Sequence, residues 1–138
     1  MEDENLKSLL NTAQTVAVVG LSTQPDKPSV AVAQVLLDAG YDVIPVHPTA
    51  AEILGRRAYP TLADIPVPVD IVDVFRPAHE APGIAHQAAE IGAGTLWLQL
   101  GITSDEARTT AQNAGLRFVE DTCIGETTLR LGNTARDA

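Results

Sequence analysis

Apolar and polar positions follow two alternating periods along the chain, and those periods predict its elements. Residues 15–20, TVAVVG, form a continuous β-branched run, the pattern of a strand buried on both faces of a parallel sheet. Val32, Val35, Leu36 and Ala39 then recur at helical spacing, and Gly40 stands where a helix stop is expected. YDVIPVHP (41–48) is the second expected strand, with Pro45 inside it; a residue without an N–H places that strand at an edge or in an irregular position. EILGRRAYPTLADI reads as a short irregular excursion, and VDIVDVFRP (69–77) as the third main strand, followed by a helix reaching Ile91. GTLWLQLG (94–101) is the fourth strand and LRFVED (116–121) the last, separated by a helix that ends near residues 113–115 and for which Thr103 and Glu106 offer a capping box. Ahead of all of these, Leu6, Leu9 and Leu10 make one stripe of a short amphipathic segment.

Strands that alternate with helices force crossover connections. The predicted fold is therefore α/β: three layers, with a mostly parallel sheet of about five strands and helices on both faces. No internal repeat or linker interrupts the pattern, and 138 residues suit a single domain spanning 1–138.

Composition narrows the partners. Hydrophobic residues make up 45% of the chain and the formal net charge is −9, which argues for a globular protein and against a nucleic-acid partner, whose affinity comes from clustered Lys and Arg. The single cysteine, Cys123, excludes an internal disulfide, and the start MEDENLKSLL lacks the basic and apolar regions of a signal peptide. No apolar run approaches the roughly 18 residues of a membrane span. A cytoplasmic location without a membrane partner is the expectation.

In open parallel sheets, ligands sit beyond the carboxyl ends of the strands, so the informative residues are those that follow each strand. After the first, GLSTQPDKPS offers Gly20 for close backbone approach, the hydroxyls of Ser22 and Ser29, the charge of Lys27, and a helix start at Pro28 whose free N–H groups suit an anion. A tight turn with an ordinary helix start explains Gly20 and Pro28 equally well. After the second, His47 and Pro48 could flank a nucleobase or ribose, or His47 could simply bond its own turn. After the third, Arg76 could reach ligand phosphates, or pair with Asp70, Asp73 or a neighbouring subunit. In the fourth, alternation sets Trp97 and Gln99 on one face; Gln99 could bond a ligand amide, while Trp97 belongs to the core.

The specific nucleotide motifs are missing. The first loop has no G-x-x-x-x-G-K-[ST], and after Gly20 the next glycine is Gly40, so G-x-G-x-x-G fails as well. A dinucleotide domain would end its second strand on an acid, where this chain has His47. Nothing compels an enzyme either. Cys123 has no Cys or His at ligand spacing, His47, His79 and His86 are scattered, with the last two expected on the exposed side of one helix, and Glu120 and Asp121 point to opposite faces of a strand.

With these residues in hand, the chain resembles the small stand-alone CoA-binding proteins, relatives of the domain that opens the α subunit of succinyl-CoA synthetase. The similar stretches are VAVVGLSTQPDKPS, GYDVIPVHPTAAEILG, YPTLADIPVPVDIVDVFRP, GTLWLQLG and AGLRFVEDTC, in that order, from about residue 13 to 123. The resemblance implies a Rossmann-like fold that holds the nucleotide end of CoA or an acyl-CoA across the strand ends. It would place Gly20, Leu21 and Ser22 on the diphosphate, and Lys27, Pro28 and Ser29 at the helix start. Val46, His47 and Pro48 would contact the adenosine part, and Phe75, Arg76 and Gln99 would border the pantetheine or phosphate path. The second strand ends in HP where the family commonly has NP, and the tail reads DTCIGETTLRL where the family commonly has DRC followed by a Glu-His pair. The synthetase's phosphohistidine domain and ATP-grasp partner have no counterpart in this chain, so the resemblance implies a non-catalytic carrier, sensor or partner subunit, with a protein partner or a homo-oligomer open. The other readings are an NAD(P)-dependent oxidoreductase domain using the same crevice, and an interaction module with a vestigial pocket.

Overall fold

The computed structural model describes residues 1–132. Helix α1 (Asp3–Thr12) leads into β1 (Thr15–Val19), α2 (Pro28–Asp38) and β2 (Asp42–Val46), and a small hairpin of β3 (Glu52–Ile53) and β4 (Arg56–Arg57) follows. The chain then runs through β5 (Ile71–Val74), α3 (Ala81–Glu90), β6 (Thr95–Leu98), α4 (Asp105–Asn113), β7 (Arg117–Val119) and α5 (Ile124–Leu131). Five strands pair in parallel in the order β2-β1-β5-β6-β7. The α/β fold expected from the alternating periods is the fold found, with each main strand shorter than its apolar run.

The sheet is buried on both faces, which is why its inner strands read as unbroken apolar runs. On one face α1, α2 and α5 pack over Val16, Val18, Val43, Ile71 and Trp97. On the other, α3 and α4 pack over Ala17, Val72, Val74, Leu96 and Leu98. Because connections leave β1 toward β2 on one side and resume at β5 on the other, the chain's switch of direction lies beside the carboxyl end of β1, where open α/β sheets form their crevice.

Pro45 does lie in an edge strand, and the excursion after β2 has a physical task there. Tyr59 N–H donates to Pro45 O (3.0 Å) and His47 N–H donates to Tyr59 O (2.9 Å), so the outer side of β2 is covered. Arg56 adds an Nε–H bond to Val43 O (3.1 Å) and a salt bridge to Asp42.

Three local expectations are corrected. Ser104, not Thr103, caps α4: its Oγ accepts from Ala107 N–H at 3.1 Å, and its own N–H donates to Glu120 Oε1 at 3.0 Å. That second bond, and the Arg108–Glu120 ion pair, are tertiary partners that spacing alone does not show. His79 and His86 are both exposed but do not share a helix: His79 lies in the 3-10 turn Ala78–Glu80 and His86 on α3. Helix α5 fills a stretch for which the pattern predicted no element. Two of its buried positions are Thr127 and Thr128 rather than large apolar residues, which breaks the periodic signal. Gly125 lets α5 approach α2 closely, since a Cβ there would lie 3.2 Å from Val32 Cγ1.

Candidate functional site at the carboxyl ends of β1, β2 and β5

A cavity of about 520 Å³ opens where β1, β2 and β5 end. Its floor is the carboxyl end of β1 with Gly20, Leu21 and Ser22; one wall is Val46, His47 and Pro48; the opposite wall carries Arg76. Seven of the twelve residues singled out from sequence thus come together around one space.

Gly20 makes this convergence possible. Its φ is +93°, a region that L side chains avoid. A Cβ built on it would also lie 2.8 Å from Arg76 Cδ and 3.0 Å from Phe75 O. The missing side chain therefore leaves room for the aliphatic stem of Arg76 to cross the end of β1. The loop beyond is tied to α2: Ser22 N–H donates to Ser29 Oγ (3.0 Å), and Gln24 N–H donates to Ser22 Oγ (3.0 Å). Pro28 is the first residue of α2 and Lys27 its N-cap, without a side-chain cap bond. The amino end of that helix thus abuts the loop that floors the cavity.

His47 does bond its own turn. Its Nδ1 accepts from Thr49 N–H (3.1 Å) and Ala50 N–H (2.9 Å), which assigns Nδ1 as the acceptor and leaves Nε2 as the ring's donor. Arg76 is held by Glu80 rather than by Asp70 or Asp73: Nε donates to Oε1 at 3.1 Å and Nη2 to Oε2 at 2.7 Å. The guanidinium's hydrogen bonds hold the Glu80 carboxyl below the usual carboxylate range. Asp70 instead accepts from Gln14 and Thr15 N–H at 2.8 and 3.0 Å.

The other five singled-out residues lie outside the cavity lining. Lys27 and Pro28 are exposed beside it, and Ser29 is buried under the loop it anchors. Phe75 packs against the α1/α2/α5 core. Gln99 is 4% exposed and its Oε1 accepts from Ile124 N–H at 3.0 Å, so it holds the start of α5, as Trp97 does by donating from Nε1 to Thr122 O at 2.8 Å. Alternation predicted their shared face but not that α5 would sit on it.

Reading strand ends also missed lining residues. Pro60 and Thr61 come from the excursion, and Glu80, Ile84 and Gln87 from the β5–α3 connection and α3. Two signals were available. Thr61 and Asp64 form a capping box around a 3-10 turn, which T-x-x-D spells in the sequence, and Arg76 with Glu80 has the four-residue spacing of an ion pair.

A second unforeseen feature is Asp73, in the middle of the sheet, registered with Val18 and Trp97. It is fully buried, and among the described residues neither carboxyl oxygen has a hydrogen-bond partner. Burial alone pushes its carboxyl well above the usual carboxylate range. Among the described residues no group of three or more His, Cys, Asp or Glu could hold a metal ion, and no helix is long and apolar enough to cross a membrane.

A five-stranded parallel sheet with helices on both faces and a crevice at its switch point defines the Rossmann-like class of α/β domain. Comparison with known proteins makes it particular: residues 14–128 match the family model described as CoA binding domain, and the chain belongs to that family. It is 40% identical over 119 residues to the uncharacterized protein YneT of Bacillus subtilis (strain 168), covering 86% of this chain and 88% of that one. A solved structure, a hypothetical protein from Pyrococcus horikoshii OT3, superposes with a TM-score of 0.92 at 35% identity, over 95% of this chain and 92% of that chain. An 81-residue stretch, 57% of this chain, is 33% identical to the ADP-forming acetate–CoA ligase II of Archaeoglobus fulgidus, of which it spans 12%. The resemblance to CoA-ligase domains is thereby shown, and it covers a small part of such an enzyme.

Proposed function

We propose that this protein binds coenzyme A or an acyl-CoA in the cavity at the ends of β1, β2 and β5, as a cytoplasmic, single-domain carrier, sensor or partner subunit without catalysis of its own. The observation that carries the reading is the meeting of Gly20, Ser22, His47 and Arg76 around one 520 Å³ space in a chain of the CoA binding domain family. The diphosphate would lie on the Gly20–Ser22 backbone beside the start of α2, where free N–H groups favour anions, with Arg76 as its cation. The adenosine part would rest against His47 and Pro48, and the pantetheine would run along the apolar wall of Pro60 and Ile84. Phe75, Lys27, Pro28 and Ser29 would shape or flank the path without lining it, and Gln99 would act by fixing α5.

No basic cluster supports a nucleic-acid partner, and a protein partner or second copy would be the natural recipient of a carrier's signal. The NAD reading is weaker, because the strand that should end on a ribose-binding acid ends on His47. Titration of the purified protein with CoA tests the proposal: saturable binding that Arg76→Ala weakens supports it, and no binding of CoA or acetyl-CoA overturns it.

A further inference from the structure

We propose that Glu80 is a resident carboxylate that occupies Arg76 until a ligand phosphate displaces it, so that anion binding in this cavity is coupled to proton uptake at Glu80. The inference rests on the phosphate-binding reading given above and adds a residue and a pH dependence to it.

Arg76 is the one guanidinium among the described residues that line the cavity, and Glu80 lines it too. Nε and Nη2, the side-on fork that fits a carboxylate or phosphate in bidentate fashion, are both already engaged, at 3.1 and 2.7 Å. The stem crosses the end of β1 against the space left by Gly20. An anion entering the cavity therefore meets a neutralised arginine and a carboxylate at the same spot. It must either share the guanidinium or take the fork and leave Glu80 without its partner, facing a negative group.

The consequence has a definite sign. In the free protein the Arg76 hydrogen bonds lower the Glu80 carboxyl's proton affinity. With the fork on phosphate and an anion alongside, that affinity rises. Between the two values binding takes up a proton, and ligand affinity increases as pH falls. The charged and titratable groups facing Glu80 are Arg76, His79, whose Nε2 lies 4.0 Å from Oε2, and His47 across the cavity. The two histidines are present in wild type and variant alike.

The test uses dephospho-CoA, whose bridging diphosphate does not change charge over the range used, titrated calorimetrically into wild type, Glu80→Gln and Arg76→Ala at about pH 5 and about pH 7.5, in two buffers of different ionisation enthalpy. Glu80→Gln should tighten binding about threefold to tenfold at the higher pH, the scale of one exposed ion pair plus one nearby like charge. The wild type should show proton uptake near pH 5 that the variant lacks. Weaker binding by Glu80→Gln would mean that Glu80 orients Arg76 rather than competing for it, and overturns the proposal. Equal affinities and equal proton uptake also overturn it while leaving CoA binding intact. If wild-type protein binds neither dephospho-CoA nor CoA, the phosphate-site reading itself falls and this proposal with it.

Discussion

Replacing Asp73 by asparagine should change how stability depends on pH in a direction set by the burial of one carboxyl. Asp73 is fully inaccessible between Val18 and Trp97, with both oxygens unpartnered among the described residues, and burial raises its folded-state pKa well above the ordinary value. In the unfolded chain the same group ionises near about 3.9. Between these values the folded protein holds a proton that the unfolded chain has released, so stability falls as pH rises. The slope is about 1.4 kcal/mol per pH unit, and the fall stops only where the folded carboxyl ionises. Each unit is a substantial part of a total stability of about 5–15 kcal/mol. The asparagine amide has nothing to ionise, and every other titrating group is common to the two proteins. Denaturant unfolding at half-unit steps upward from about pH 4.5 should therefore show the difference between Asp73→Asn and wild type growing in the variant's favour with pH until the folded carboxyl ionises. Parallel profiles, or a difference that shrinks with pH, would refute the claim that this carboxyl is buried without a partner.

Other expectations follow from the same contacts. Gly20→Ala should cost about 1–3 kcal/mol in thermal or denaturant unfolding, from a left-handed backbone position and a Cβ pressed on Phe75 O; it should also lower CoA affinity more than tenfold by displacing the Arg76 stem. Arg76→Ala should weaken CoA binding about ten- to a hundredfold, the range of one charge-assisted fork, without lowering the melting temperature. Lys27→Ala, exposed and outside the lining, should weaken it only a few-fold and only at low salt, as titrations at two ionic strengths would show. Gln99→Leu leaves the buried Ile124 N–H without its acceptor and should cost about 1–3 kcal/mol, with faster hydrogen exchange in α5 than in β1.

The parts of this molecule that were legible in the sequence are those where one local rule decides. TVAVV is apolar throughout because β1 is covered on both faces, Pro45 marks an edge strand because it removes a ladder donor, and Gly20 ends a strand where the backbone turns left-handed. The parts that were hidden depend on a distant partner. Gln99 stood at a strand end like a ligand contact, yet its acceptor is taken by Ile124, 25 residues away. Helix α5 was masked because threonines fill two of its buried positions. Ser104 displaced Thr103 as cap because Glu120, just past β7, and Arg108 on α4 fix that turn. In VDIVDVF, no periodicity distinguishes Asp70, which bonds two backbone N–H groups at the sheet's start, from Asp73, which bonds nothing among the described residues.

The measurement that bears most directly on the account is calorimetric titration of the purified protein with CoA, with dephospho-CoA and NAD in parallel cells. Saturable CoA binding, retained in part by dephospho-CoA and weakened in Arg76→Ala, is the predicted result. Saturation with NAD and no heat with CoA would contradict it, and would make the cavity at the ends of β1, β2 and β5 a dinucleotide site.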